Sequence, residues 1–180
     1  MSVKLLLYCT KAKPYLSKEI IDPPFIENEF CLNARQNINH NRVLNGKIVA
    51  ECECEKVTEF DLYGNHLGYA INLMPILKQS CLNKEDMKNY LGDKKGYALH
   101  LSNVKVLNNP LQFEKDFIYK DYKSNRLITK APQNMCNVYD RFGNQYVLIS
   151  IRPEHLCKIL NGEKTIEVRK KILNSMKEML

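Results

Sequence analysis

Strands outnumber helices along this chain and do not alternate with them regularly, which points to a small α+β mixed barrel with short flanking helices and away from a doubly wound sheet. Val3 to Cys9 is a continuous apolar run rich in leucine, and it reads as a buried strand closed by the basic loop Thr10-Lys11-Ala12-Lys13-Pro14. After Asn45-Gly46 the chain alternates. Ile48, Ala50, Cys52 and Cys54 fall on one face, with Glu51, Glu53 and Glu55 near the other, as in a half-buried strand. Asn83 caps a short helix over Lys84 to Leu91, with Asp86 three residues on and Gly92 at its end. Gly96 to Leu107 reads as another strand, broken by Asn108-Asn109-Pro110, and a turn at Gly143-Asn144 leads into a further one over Tyr146 to Ile151.

Between these elements lie two segments of a different kind. From Ile21 to Leu44 the periodicity dissolves, and Asp22-Pro23-Pro24 with the polar string Asn33 to Arg42 suggests a long surface excursion. Phe113 to Lys130 interleaves Phe117, Tyr119 and Tyr122 with Lys115, Lys120, Lys123 and Arg126, a mixture that suits either base stacking with phosphate contact or a solvated sheet edge. There is no repeat, coiled coil or low-complexity tract.

The 180 residues, 44% of them hydrophobic, suffice for one good core, so a single domain over residues 1–180 is expected. Lys and Arg number 27 against 20 Asp and Glu, a net +7, which favours polyanionic partners such as nucleic acid. Seven cysteines, with no CxxC pair and no histidine at zinc-ligand spacing, indicate neither a disulfide framework nor a metal site. No cofactor is expected. The apolar run in the N-terminal MSVKLLLYCTK is too short for a signal segment or a span, and no later stretch is long enough to cross a membrane. A soluble, cytoplasmic protein is the expectation. Cys52 and Cys54 share a face and fit buried thiols better than metal ligands. His155 reads as a solvated helix residue, while His40, His66 and His100 have no partner nameable from sequence.

Chemistry concentrates near the C-terminus, in Gly162 to Arg169, GEKTIEVR. Pro153 suits the first turn of a helix striped by Leu156, Ile159 and Leu160, and Gly162 suits the left-handed residue that ends it. Thr165 to Arg169 then alternates. Ile166 and Val168 enter the core, while Thr165, Glu167 and Arg169 share the other face with Lys164 at the turn beside them. Such residues make either a polar pocket, in which Glu167 accepts hydrogen bonds or protons and Arg169 forks onto an anion, or a surface salt bridge.

The string ISIRPEHLCKILNGEKTIEVRK, Ile149 to Lys170, resembles the opening of the ASCH (activating-signal-cointegrator homology) family, of phage or bacterial type. In that family a strand, a helix and a GxKxxExR signature begin a PUA-like β-barrel, and Gly162, Lys164, Glu167 and Arg169 fill the signature positions. The resemblance continues out of order. Leu5 to Lys11 is similar to the family's next strand with its small-Thr-Lys end, and Gly46 to Cys52 to its G-x-I-V strand. Tyr97 to Pro110 resembles its aromatic-led strand, and Ala131 to Tyr139 the last barrel strand. The resemblance thus implies a PUA-like barrel with its body in residues 1–140 and its first strand-helix-strand unit displaced to residues 145–180. This is either a circular permutation within a monomer or a unit exchanged with a second chain in a swapped dimer.

It further implies binding of RNA or a modified nucleoside in a basic cleft, with Lys11, Lys13, Arg152, Lys164, Glu167, Arg169, Lys170 and Lys171 within or beside it. Some members hydrolyse an acetyl amide through a Lys and a Thr three residues later. Here that Thr position holds Glu167, and Lys78-Gln79-Ser80-Cys81 offers no carboxylate before the short helix, so that mechanism is not expected. The alternatives are a hydrolase acting on RNA or a modified nucleoside, with Glu167 as general base and Lys164 as electrostatic stabiliser, or a phage protein acting through protein partners.

Overall fold

In the computed structural model the described residues are 2–13, 15–17, 43–62, 73–112, 120–121 and 126–180. The Val3–Cys9 run forms β1, its last five residues all buried. The alternating segment forms β2, Ile48–Phe60, where Cys52 and Cys54 are buried and Glu51 and Glu53 half-exposed. A register shift between Cys54 and Lys56 then resets the alternation, so that Val57 and Phe60 return to the interior. Burial pushes the two thiols up, to about 12 for Cys52 and about 11 for Cys54, which leaves them protonated packing groups.

Helix α1 spans Leu73–Ser80, with Pro75 in its first turn where no intrahelical donor is lost, and it has no counterpart in the sequence reading. Helix α2 spans Lys84–Leu91, capped by the Asn83 side chain accepting from the Asp86 N–H at 2.7 Å and closed at Gly92 with φ +61°. Strand β3 covers Gly96–Leu111 and corrects the expected break at Asn108. Ala50 of β2 pairs with Val106 and Ile48 with Leu111, so the Asn108-Asn109-Pro110 stretch lies in a register shift where a proline need not donate to the ladder.

Lys120–Asp121 is the two-residue β4, Met135–Tyr139 is β5, and Gln145–Ile151 is β6. Helix α3, Pro153–Leu160, β7, Ile166–Arg169, and the short helix α4, Asn174–Lys177, complete the chain. The strands form one mixed sheet ordered β4-β5-β6-β1-β2-β3-β7, in which only the β1–β6 pair is parallel. It curls into a half-barrel with few short helices. The C-terminal unit enters this chain's own sheet, β6 beside β1 and β7 beside β3.

The principal core lies on the concave side. There Leu5, Leu7, Leu99, Val147 and Ile149 pack against Leu156 and Ile159 of α3 and Met176 of α4. A second cluster joins Phe60, Ala98, Ile166 and Val168 to α1 and α2 through Ile76, Met87 and Leu91. A third, around Leu6, Tyr8, Ile48, Val138 and Leu148, covers the opposite face of β1, β5 and β6. The tail is pinned by the Val57 N–H donating to the Met179 carbonyl at 3.2 Å and by Ser175 Oγ donating to Asn137 Oδ1 at 2.9 Å.

Most of the Ile21–Leu44 excursion and of the Phe113–Lys130 segment, with His40 and His66, lies outside the described residues. The neck of the first excursion is described: Ser17 bridges Val43, and the Leu44 N–H donates to the Leu16 carbonyl at 2.8 Å. Among the described residues no helix is long and apolar enough to cross a membrane.

A candidate polar site inside the curled sheet

Why charged side chains enter the concave side follows from the pairing of β7 with β3. Residues directly opposite in an antiparallel pair share a face. Val168 opposes Ala98 and joins the second cluster, whereas Glu167 opposes Leu99 and Arg169 opposes Tyr97, whose side chains belong to or pack against the principal core. Both faces of β7 are therefore buried, and Glu167 and Arg169 lie inward at 6% and 7% exposure.

Lys164 reaches the same place from the turn after α3. Gly162, at φ +76°, ends the helix, and the Lys164 N–H donates to the Lys158 carbonyl at 3.0 Å. The next N–H, of Thr165, donates to Gln79 of α1 at 3.0 Å, and the Lys164 side chain is left 3% exposed. Thr165 itself is exposed and stands apart from the buried face it was expected to share.

The three side chains form a buried ion triad. Arg169 Nη2 lies 2.9 Å from Glu167 Oε1, and Lys164 Nζ lies 2.9 Å from Oε2. Both contacts are at hydrogen-bonding distance, and together they place a cation against each carboxylate oxygen. Burial raises the Glu167 pKa, but the charges of Arg169 and then Lys164 outweigh it and hold the carboxyl below its ordinary range. Arg169 spends its remaining reach on the far side of the sheet. Nη1 donates to Asn134 Oδ1 at 2.9 Å and Nη2 to the Ser150 carbonyl at 2.8 Å, while its buried Nε has no partner. Ser150 Oγ in turn donates to the Pro132 carbonyl at 2.6 Å.

Two further residues complete the surroundings: His155, expected from sequence to be solvated, and Tyr90, which carried no sequence signal. His155 is half-buried, not solvated, and its buried Nδ1 has no hydrogen-bond partner. Burial lowers its pKa, as does the Lys164 charge, while Glu167 pulls the other way. Tyr90 of α2 lies beside Lys170. Burial raises its phenol, and the charges of Arg169 and Arg152 oppose that rise. The Lys170 ammonium stands 5.0 Å from the centroid of the Tyr90 ring, a cation–π distance. A helix histidine two residues past the Pro153 start, one turn before both the half-buried Lys158 and the buried Ile159, sits at the border of the apolar stripe, where spacing alone does not distinguish it from a solvated one.

The remaining expected contacts separate into two regions. Arg152 is exposed at the N-cap of α3, Lys170 is half-buried beside Tyr90 and Lys171 is exposed, so these stay near the triad along the chain. Lys11 does not join them. It lines a different cavity, of about 400 Å³, together with Lys47 and Lys130, and Lys13 is exposed on the adjoining loop. The partners of the triad come from Asn134, Ser150, His155 and Tyr90 in place of the Thr10-Lys11 loop, whose turn is bound instead to Asn45.

Comparison with family models, with curated proteins and with solved structures yields no match.

Proposed function

We propose that this protein binds RNA or a modified nucleoside in the manner of a PUA-like ASCH domain whose first unit has moved to the C-terminus. The observation that carries the reading is a pair of buried nitrogens without hydrogen-bond partners beside one ion triad: Arg169 Nε and His155 Nδ1. Buried polar groups are ordinarily paired, and an orphaned pair in one place is what a ligand with several donors and acceptors would satisfy. A nucleobase edge offers such a set, and Arg152 and Lys170 supply cations for adjacent phosphates. The permuted order is supported by the termini. Met179 bonds to Val57, three positions from Cys54, which pairs with Val3, so the two chain ends lie close together.

Binding is preferred to catalysis on physical grounds. A general base works best with a pKa near the operating pH, and Glu167 is held low by two cations that occupy both of its oxygens. Lys164, fixed in the same ion pair, is equally committed.

The test is filter binding of single-stranded RNA over a range of salt concentrations. Arg152→Ala and Lys170→Ala should each weaken binding and flatten the log–log salt dependence by about 0.7 per cation removed. No affinity at low salt, or a salt slope unchanged in the double variant, would exclude this site as the RNA-binding surface.

A further inference from the structure

The cavity lined by Lys11, Lys47 and Lys130 is separate from the triad, and among the described residues its wall has no carboxylate. None of the three ammonium groups forms an ion pair with a described residue, although Lys47 is only 9% exposed. A buried lysine without a counter-charge is costly to maintain, and the exposed Lys11 and Lys130 at the rim of the same hollow add to the positive charge around it.

The positioning of these lysines is built into the backbone. Asn45 accepts the Leu16 N–H on Oδ1 at 2.7 Å and donates from Nδ2 to the carbonyls of Thr10, at 3.3 Å, and Ala12, at 2.7 Å. The Cys9 N–H donates to the Lys47 carbonyl and the Gly46 N–H to the Cys9 carbonyl, at 2.9 and 2.7 Å. These bonds lock the basic loop after β1 onto the turn before β2. Gly46 makes the contact close: at φ +83° a Cβ there would lie 3.2 Å from Lys11 Cε. The segments that carry Lys11 and Lys47 are thus held together before any ligand arrives, with both residues lining one cavity.

We propose that this cavity is an anion site for a diphosphate group. Three lysines balance the roughly three negative charges of a diphosphate monoester. Gln112 and Thr129, which also line the cavity, add hydrogen-bonding groups for phosphate or sugar oxygens. The volume suits a ligand of nucleotide size. A free nucleoside diphosphate and the diphosphorylated 5′ end of a nucleic acid share this chemistry. The inference does not depend on RNA binding at the triad.

Calorimetric titration of the full chain separates the sources. Inorganic pyrophosphate should bind at low salt and weaken as salt rises. A nucleoside 5′-diphosphate that binds more tightly than pyrophosphate assigns the site to free nucleotide. An RNA oligonucleotide that gains affinity on 5′-diphosphorylation, and more than the nucleotide does, assigns it to a nucleic-acid end. Lys47→Gln should weaken pyrophosphate about tenfold. The double variant Lys11→Gln/Lys130→Gln, altered only at exposed positions, should do so at least as much, and Lys84→Gln on the outside of α2 should change nothing. Absence of pyrophosphate and diphosphate binding at low salt, or equal affinity in the wild type and the double variant, overturns the proposal.

Discussion

The guanidinium of Arg169 in β7 donates to the main-chain carbonyl of Ser150 in β6 at 2.8 Å, although three strands separate β6 and β7 in the sheet. One side chain thus spans the concave side of the half-barrel and ties its edge strand back to the middle. The same guanidinium holds Glu167, so the closing contact and the polar site share one residue.

This sharing predicts a large stability cost at Glu167. Glu167→Leu leaves Lys164 and Arg169 buried without their counter-charge, and losing one partner of a buried ion pair costs about 3–5 kcal/mol. Urea denaturation at neutral pH should show a lowered midpoint. A midpoint shift worth less than about 1 kcal/mol would mean that the triad is solvated in solution.

The acid limb of the stability profile should carry two steps. Glu167 has a depressed folded pKa, so its contribution is complete above the unfolded value near 4.5 and is lost as pH falls through the folded one. His155 is also depressed, and its neutral form is favoured on folding. Its contribution is complete above about 6.5 and declines as pH falls below that value towards the folded one. His100, depressed by its burial and by the Lys56 charge, contributes in the same window. Stability measured from pH 8 downward should therefore fall in the histidine window first. His155→Gln should diminish that step and His155→Gln/His100→Gln remove it, with the second step kept. A first step undiminished in His155→Gln would assign it wholly to other groups.

Gly96, the first residue of β3, predicts a local packing limit. A Cβ at this position would lie 2.4 Å from Phe60 Cζ and 2.8 Å from Leu91 Cδ1, both in the second core cluster. Gly96→Ala should destabilise the protein by about 1–3 kcal/mol, the cost of forcing an extra carbon into a filled core. Thermal unfolding of the variant checks this, and an unchanged midpoint would show that Phe60 repacks freely.

Much of the fold was legible because local chemistry decided it. The Asn83 cap and Gly92 stop set α2, the apolar run set β1, and Pro153 with Gly162 bounded α3. Helix α1 was missed, since Leu73–Ser80 lacks an acidic first turn and a marked cap, and its stability comes from packing Ile76 against Phe60 and Met87. The break at Asn108 was wrongly read because a register shift absorbs the proline, and a register shift depends on the partner strand. At the site, spacing brought Lys164, Glu167 and Arg169 together correctly. Their partners Asn134, Ser150 and Tyr90 come from β6, α2 and the segment before β5, which only the curl of the sheet makes neighbours. Lys11 went to the other side because Asn45 anchors its loop there, a long-range bond with no periodic signature.

The most direct measurement is the His155 ring titration followed by NMR with and without single-stranded RNA or a nucleoside. His155 feels both Lys164 and Glu167, and its Nδ1 is open to a new hydrogen bond. The account predicts that saturating ligand shifts the ring resonances and moves the His155 pKa. Ligand bound with the His155 resonances and pKa unmoved would contradict a binding site at the triad.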